Sequence, residues 1–123
     1  MNIMLVFIGG GIGAVARYVL QGLVYRGTGA GFPYGTLVVN VLGALAIGVL
    51  MTAMEERFAA APPVRVFLTV GILGGFTTFS SFSYETIALL RSGDFLGGGV
   101  NVVASVATCL AATWAGSIIG RFI

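Results

Sequence analysis

Four long apolar stretches divide the chain, at residues 3–25, 35–54, 65–90 and 98–122. Short segments of turn-forming and charged residues separate them. The first holds Gly27, Gly29, Gly31 and Pro33, the second Glu55, Glu56, Arg57, Pro62 and Pro63, and the third Arg91-Ser92-Gly93-Asp94. About 20 apolar residues at 1.5 Å rise each span a bilayer core. The pattern therefore predicts an all-α membrane protein of four transmembrane helices, forming a single domain over residues 1–123. No basic residue precedes the first stretch, which is too long for the apolar part of a signal peptide, so it reads as a retained span.

The third stretch departs from the pattern. Gly74-Gly75 followed by Thr77-Thr78 is poor helix-forming sequence, through backbone entropy at Gly and χ1 restriction at Thr. A break in the third helix is expected near Gly74–Thr77. Hydroxyls crowd the downstream half at Thr77, Thr78, Ser80, Ser81 and Ser83, interleaved with Phe76, Phe79 and Phe82. In lipid, a broken helix is tolerable only where protein or a watery path meets its freed backbone groups. This stretch is the expected working part, and the other spans its support.

Glycine spacing adds a packing expectation. Gly9/Gly13, Gly71/Gly75 and Gly116/Gly120 are small-xxx-small pairs that let helices approach closely. Gly9-Gly10-Gly11-Ile12-Gly13 faintly resembles a dinucleotide fingerprint, but it lacks the preceding strand and the βαβ context.

Composition agrees with membrane insertion: 58% of residues are hydrophobic and 8% charged. The net charge of +2 is small and dispersed, which argues against nucleic acid as a partner. The chain has no His, and its one Cys, Cys109, leaves no intrachain disulfide and no Cys/His metal site. Nucleophile-plus-base chemistry lacks its base, so an enzyme is not expected. Four spans put both termini on one side, with Arg57, Arg65 and Arg121. Arg26 and Arg91 fall on the other, with Arg17 inside the first span nearer that end. So little bias leaves orientation undetermined and predicts insertion both ways. Two opposed copies would form an inverted-repeat assembly with sites near the midplane.

Several polar residues inside the spans are candidates for function. Asn40 needs partners for its amide. It serves either as an interhelical hydrogen bond or as a donor facing a path. Arg17 either snorkels to the interface or lends positive charge to a vestibule. Glu85 reads as an ion-pair partner or helix-end acid. Asn101, Ser105 and Thr108 share a helix face by their spacing and offer donors to an anion, unless each bonds its own preceding turn. Phe79 and Phe82 fill space, or present the positive edges of their rings to an anion.

One family matches these residues. Gly71-x-x-Gly74-Gly75-x-Thr77-Thr78-Phe79-Ser80-x-Phe82, preceded by Gly35-Thr36-x-x-x-Asn40-x-x-Gly43, resembles the Fluc (CrcB) family of fluoride channels. Gly9-Gly10-x-Ile12-Gly13-Ala14-x-Ala16-Arg17-Tyr18 is similar to that family's first span, so the likeness runs over essentially the whole chain. The resemblance implies a dual-topology, antiparallel homodimer in the cell inner membrane, with two pores that let fluoride leave the cytoplasm passively. It implies Asn40 as the pore asparagine, Phe79 and Phe82 as the anion-contacting phenylalanines, Arg17 as the vestibule arginine and Glu85 as the acid following the motif. It places Ser105 in a polar track with Thr108 nearby. Many relatives carry Tyr where this chain has Asn101, and some have a second Ser where it has Cys109. The resemblance also implies that the main-chain carbonyls of Gly74 and Thr77, from both chains, hold a structural Na⁺ on the dimer axis.

Two other readings compete. A four-span multidrug exporter needs a carboxylate in the first span for proton-coupled exchange, and this span holds Arg17 and no acid. A non-transporting membrane assembly protein would have no use for a hydroxyl-rich broken helix.

Overall fold

A computed structural model describes residues 2–123. Within them the chain is helical apart from short connections and one break, with no strand, and four segments are long and apolar enough to cross a membrane. The first two are single helices, α1 (Asn2–Thr28) and α2 (Tyr34–Glu56). The third, Pro62–Arg91, is composite. It runs through α3 (Pro62–Val66), a π-helical segment (Phe67–Leu73), α4 (Gly74–Phe76) and α5 (Phe79–Arg91). The last span is α6 (Phe95–Arg121).

Local chemistry sets the ends, which extend slightly beyond the apolar stretches. Pro62 and Pro63 open α3 where the hydropathy pattern places a loop, because proline in a first turn has no amide to waste and its φ is preset. Asp94 caps α6 by accepting a hydrogen bond from the Gly97 N–H at 2.8 Å. The chain leaves α5 through Gly93, whose φ of +87° suits glycine.

Successive spans run antiparallel. At one end Arg121 pairs with Glu56 at 3.6 Å, Arg65 with Glu55 at 3.4 Å, and Arg57 donates to the Ile123 carbonyl at 3.1 Å. These exposed pairs contribute little stability. The tight contacts come instead from glycine. A Cβ on Gly13 would strike the Ile72 carbonyl, and one on Gly75 the Gly10 carbonyl, so α1 lies backbone to backbone against the third span. Across the bundle, Gly48 faces Thr113 while Gly116 and Gly120 face Leu45 and Val49, which seats α2 against α6. The three glycine pairs of the sequence thus serve two interfaces. Large apolar side chains remain on the outside of the bundle: Phe7 is 76% exposed and Trp114 69%.

The break in the third span lies slightly downstream of the glycines. Gly74 is helical, with φ −61° and ψ −39°. The extended residues are Thr77 (φ −88°, ψ 156°) and Thr78 (φ −150°, ψ 114°). The reason is packing: Gly75 is needed for close approach to α1, whereas the backbone groups of Thr78 have partners outside their own helix.

Candidate functional site

The break is held from both sides. Asn40, half-buried on α2, donates from Nδ2 to the Thr78 carbonyl at 3.0 Å. The Thr78 N–H donates back to Asn40 Oδ1 at 2.8 Å. One amide thus satisfies both backbone groups of an unwound residue, as a neighbouring strand would. The Thr78 hydroxyl caps α5 by accepting from the Ser81 N–H at 3.1 Å. On the other side, Arg17 Nε donates to the Gly75 carbonyl at 3.1 Å. That carbonyl lies in the last turn before the break, where helix carbonyls lack partners and a cation is favoured. Thr77 turns its hydroxyl back onto the Leu73 carbonyl at 3.0 Å and rests its methyl on Gly43. Among the described residues, none of the hydrogen bonds at the break uses the carbonyl of Gly74 or Thr77.

A cavity of about 350 Å³ opens beside the break, lined by Asn40, Thr78, Phe79, Phe82, Ser105 and Cys109, among others. The Phe79 and Phe82 rings are 5.2 Å apart between centroids and tilted by 45°. Phe79 is 77% exposed, so the cavity's wall is open on its side. A second cavity, of about 260 Å³, lies on the far side of Asn40 and Thr77, against Gly74, Thr69 and Thr113.

The candidate residues divide accordingly. Asn40, Phe79, Phe82 and Ser105 come together in one cavity. Gly74 lines the second only, while Asn40 and Thr77 lie between the two and line both. Arg17 bonds the break and is absent from the lining of both. Thr108 is exposed and gives its proton to the Ala104 carbonyl at 2.5 Å. Cys109 takes the inward place, because the row facing α5 steps by four residues, through Asn101, Ser105 and Cys109. Glu85 lines a different cavity of about 490 Å³ with Tyr25 and Ser92. Its Oε2 accepts from the Tyr25 hydroxyl at 3.4 Å, and its buried Oε1 has no hydrogen-bond partner. Sequence reasoning passed over Thr86, which is buried and accepts a hydrogen bond from Asn101 at 2.9 Å. Its one signal was its place four residues after Phe82.

Known proteins resemble this chain over nearly its whole length. The family model described as CrcB-like protein, Camphor Resistance (CrcB), matches residues 4–117. A protein of Geobacter sulfurreducens is 50% identical over 120 residues, covering 98% of this chain and 97% of its own. One from Geobacter metallireducens is 49% identical over 121 residues, covering 98% of each. A Coxiella burnetii protein is 47% identical over 122 residues, again covering 98% of each. All three bear the name fluoride-specific ion channel FluC.

Proposed function

The chain belongs to the CrcB-like family, and on that premise we propose that it is a fluoride-selective channel of the inner membrane that lets cytoplasmic fluoride leave passively. The observation that carries this reading is the cavity beside the broken third span. It joins an amide, two phenyl rings and a hydroxyl-bearing helix in a chain whose relatives are named fluoride-specific. Fluoride is small and tightly hydrated, so a selective path must replace its water at a width larger anions cannot use. Asn40 has a second amide proton beyond the one held by Thr78. That proton is the donor we assign to the ion, and the edges of Phe79 and Phe82 carry it onward. Arg17 steadies the break and adds positive charge nearby.

The working unit in this proposal is an antiparallel homodimer with two pores. The exposed Phe79 supports it, since a second copy would close the open wall. The near-balanced arginines at the two ends support insertion in both orientations. Tags on either terminus should be found on both sides of the membrane in similar amounts, and a single orientation would refute this part of the proposal.

The carbonyls of Gly74 and Thr77 suit a hard cation, being oxygen donors that the hydrogen bonds of the break leave free. Those two residues, contributed by both chains, would hold a structural Na⁺. An ion held there would supply fixed positive charge at the break.

The test is fluoride release from liposomes holding the purified protein, read with a fluoride-selective electrode, with chloride as the control. Rapid release of fluoride and none of chloride is expected. Silent liposomes would overturn the proposal.

A further inference from the structure

Three hydrogen bonds run in series from α6 to α5 beside the cavity. Ser105 Oγ lies 3.4 Å from Asn101 Oδ1, Asn101 Nδ2 lies 2.9 Å from Thr86 Oγ1, and Thr86 Oγ1 lies 2.8 Å from the Phe82 carbonyl. All three side chains are buried, Asn101 to 2% exposure. Counting protons gives the series a direction. A carbonyl only accepts, so the single Thr86 hydroxyl proton goes to Phe82. Thr86 Oγ1 must then accept from Asn101, which turns the NH₂ of that amide toward Thr86 and its oxygen toward Ser105. An amide oxygen also only accepts, so across the 3.4 Å contact Ser105 is the one group able to donate.

Ser105 therefore lines the cavity with its lone pairs, its proton turned away from an anion. This reverses the donor role that its spacing in the sequence suggests. To donate to an ion, Ser105 would have to leave Asn101 Oδ1 buried without a partner, which is costly.

We infer that Asn101 is a positioning residue of the ion path: by holding the Ser105 proton it limits how tightly the path grips fluoride. The inference rests on the fluoride-channel reading. Its physical sense is that conduction requires binding strong enough to admit the ion and weak enough to release it. A freed hydroxyl beside Phe82 would deepen one station and slow departure.

The experiment measures fluoride flux from liposomes against fluoride concentration. Asn101→Leu keeps the volume and removes both halves of the amide. The half-saturating concentration should fall at least threefold, and maximal flux should fall with it. Adding Ser105→Ala to Asn101→Leu should abolish that tightening, because the freed proton is gone. Thr86→Val removes the acceptor that orients the amide and should tighten binding as well, while Thr86→Ser should restore the original value. Loss of a merely structural tie between α5 and α6 would lower flux without tightening. A half-saturating concentration that is unchanged or raised in assembled Asn101→Leu overturns the inference.

If the unaltered protein releases no fluoride, the channel reading fails, and the hydrogen-bond series is tested separately. Solid-state NMR of the ¹⁵N-labelled Asn101 side chain in bilayers should show its resonance moving in both Thr86→Val and Ser105→Ala. A resonance that moves in neither overturns the proton direction whatever the flux.

Discussion

Asn40 and Thr78 lie 38 residues apart and exchange two hydrogen bonds, at 3.0 and 2.8 Å, so that a side chain on α2 completes the backbone of the third span. Asn40→Leu would leave the Thr78 N–H without a partner. Leaving a buried group unsatisfied costs about 1–3 kcal/mol. A reduced yield of assembled protein on size exclusion is expected. Asn40→Asp keeps the acceptor for the Thr78 N–H but sets a carboxylate oxygen against the Thr78 carbonyl, so its flux is compared only in protein that still assembles on size exclusion. It also removes the donors and sets a negative charge beside the path. Its fluoride flux should fall more than about tenfold, a barrier increase above about 1.4 kcal/mol. Asp-substituted protein that conducts normally would remove Asn40 from the path.

Phe79 and Phe82 separate a ring-edge role from space-filling. Phe→Ile or Phe→Met retains apolar bulk and costs less than about 1.5 kcal/mol in packing where shape can adjust. It deletes the positive ring edge. Each change should lower fluoride flux more than about tenfold while the protein still assembles, checked by size-exclusion chromatography and electrode recordings. Assembled Ile variants at both positions that conduct normally would leave these residues a packing role only.

Two glycines on α1 should respond oppositely. Gly13→Ala places a methyl against the Ile72 carbonyl backbone, which cannot yield without separating α1 from the third span. A loss of about 2–3 kcal/mol is expected, at the upper range for overpacking. Gly10→Ala meets nothing within 4 Å and should be tolerated. Thermal denaturation of the two variants in one detergent checks the contrast, and equal midpoints would contradict it.

The sodium proposal has its own signature. A structural ion held by the Gly74 and Thr77 carbonyls should be required for fluoride flux yet not travel with it. Replacing Na⁺ by N-methylglucamine should abolish flux, and sodium-22 should stay put while fluoride moves. Sodium moving in proportion to fluoride would contradict the static role.

Much of this architecture was legible in the chain because membrane insertion is demanded by length and hydropathy alone. Every backbone group in lipid must be satisfied internally, so a long apolar run has few alternatives to a helix. The glycine pairs were legible for a similar reason: close helix contact needs small residues at fixed spacing. Steps of three and of four both keep to one helix face in sequence, so spacing alone does not rank Thr108 against Cys109. Only the crossing of α6 over α5 selects the row through Asn101, Ser105 and Cys109.

The sequence by itself determined four spans, a defect in the third and the residue types gathered around it. Tertiary structure decided where the defect falls and which way its hydrogen bonds point. Gly74 and Gly75 have the weaker helix propensity, but propensity is a small local term that packing overrides. Gly75 stays helical against α1, and the chain unwinds at Thr77 and Thr78, where Asn40 receives the freed backbone. Likewise, a serine's spacing says that a hydroxyl is present, but the direction of its proton depends on which groups meet it in space. For Ser105 the groups that bear on it are Asn101 and, through Asn101, Thr86 and the Phe82 carbonyl.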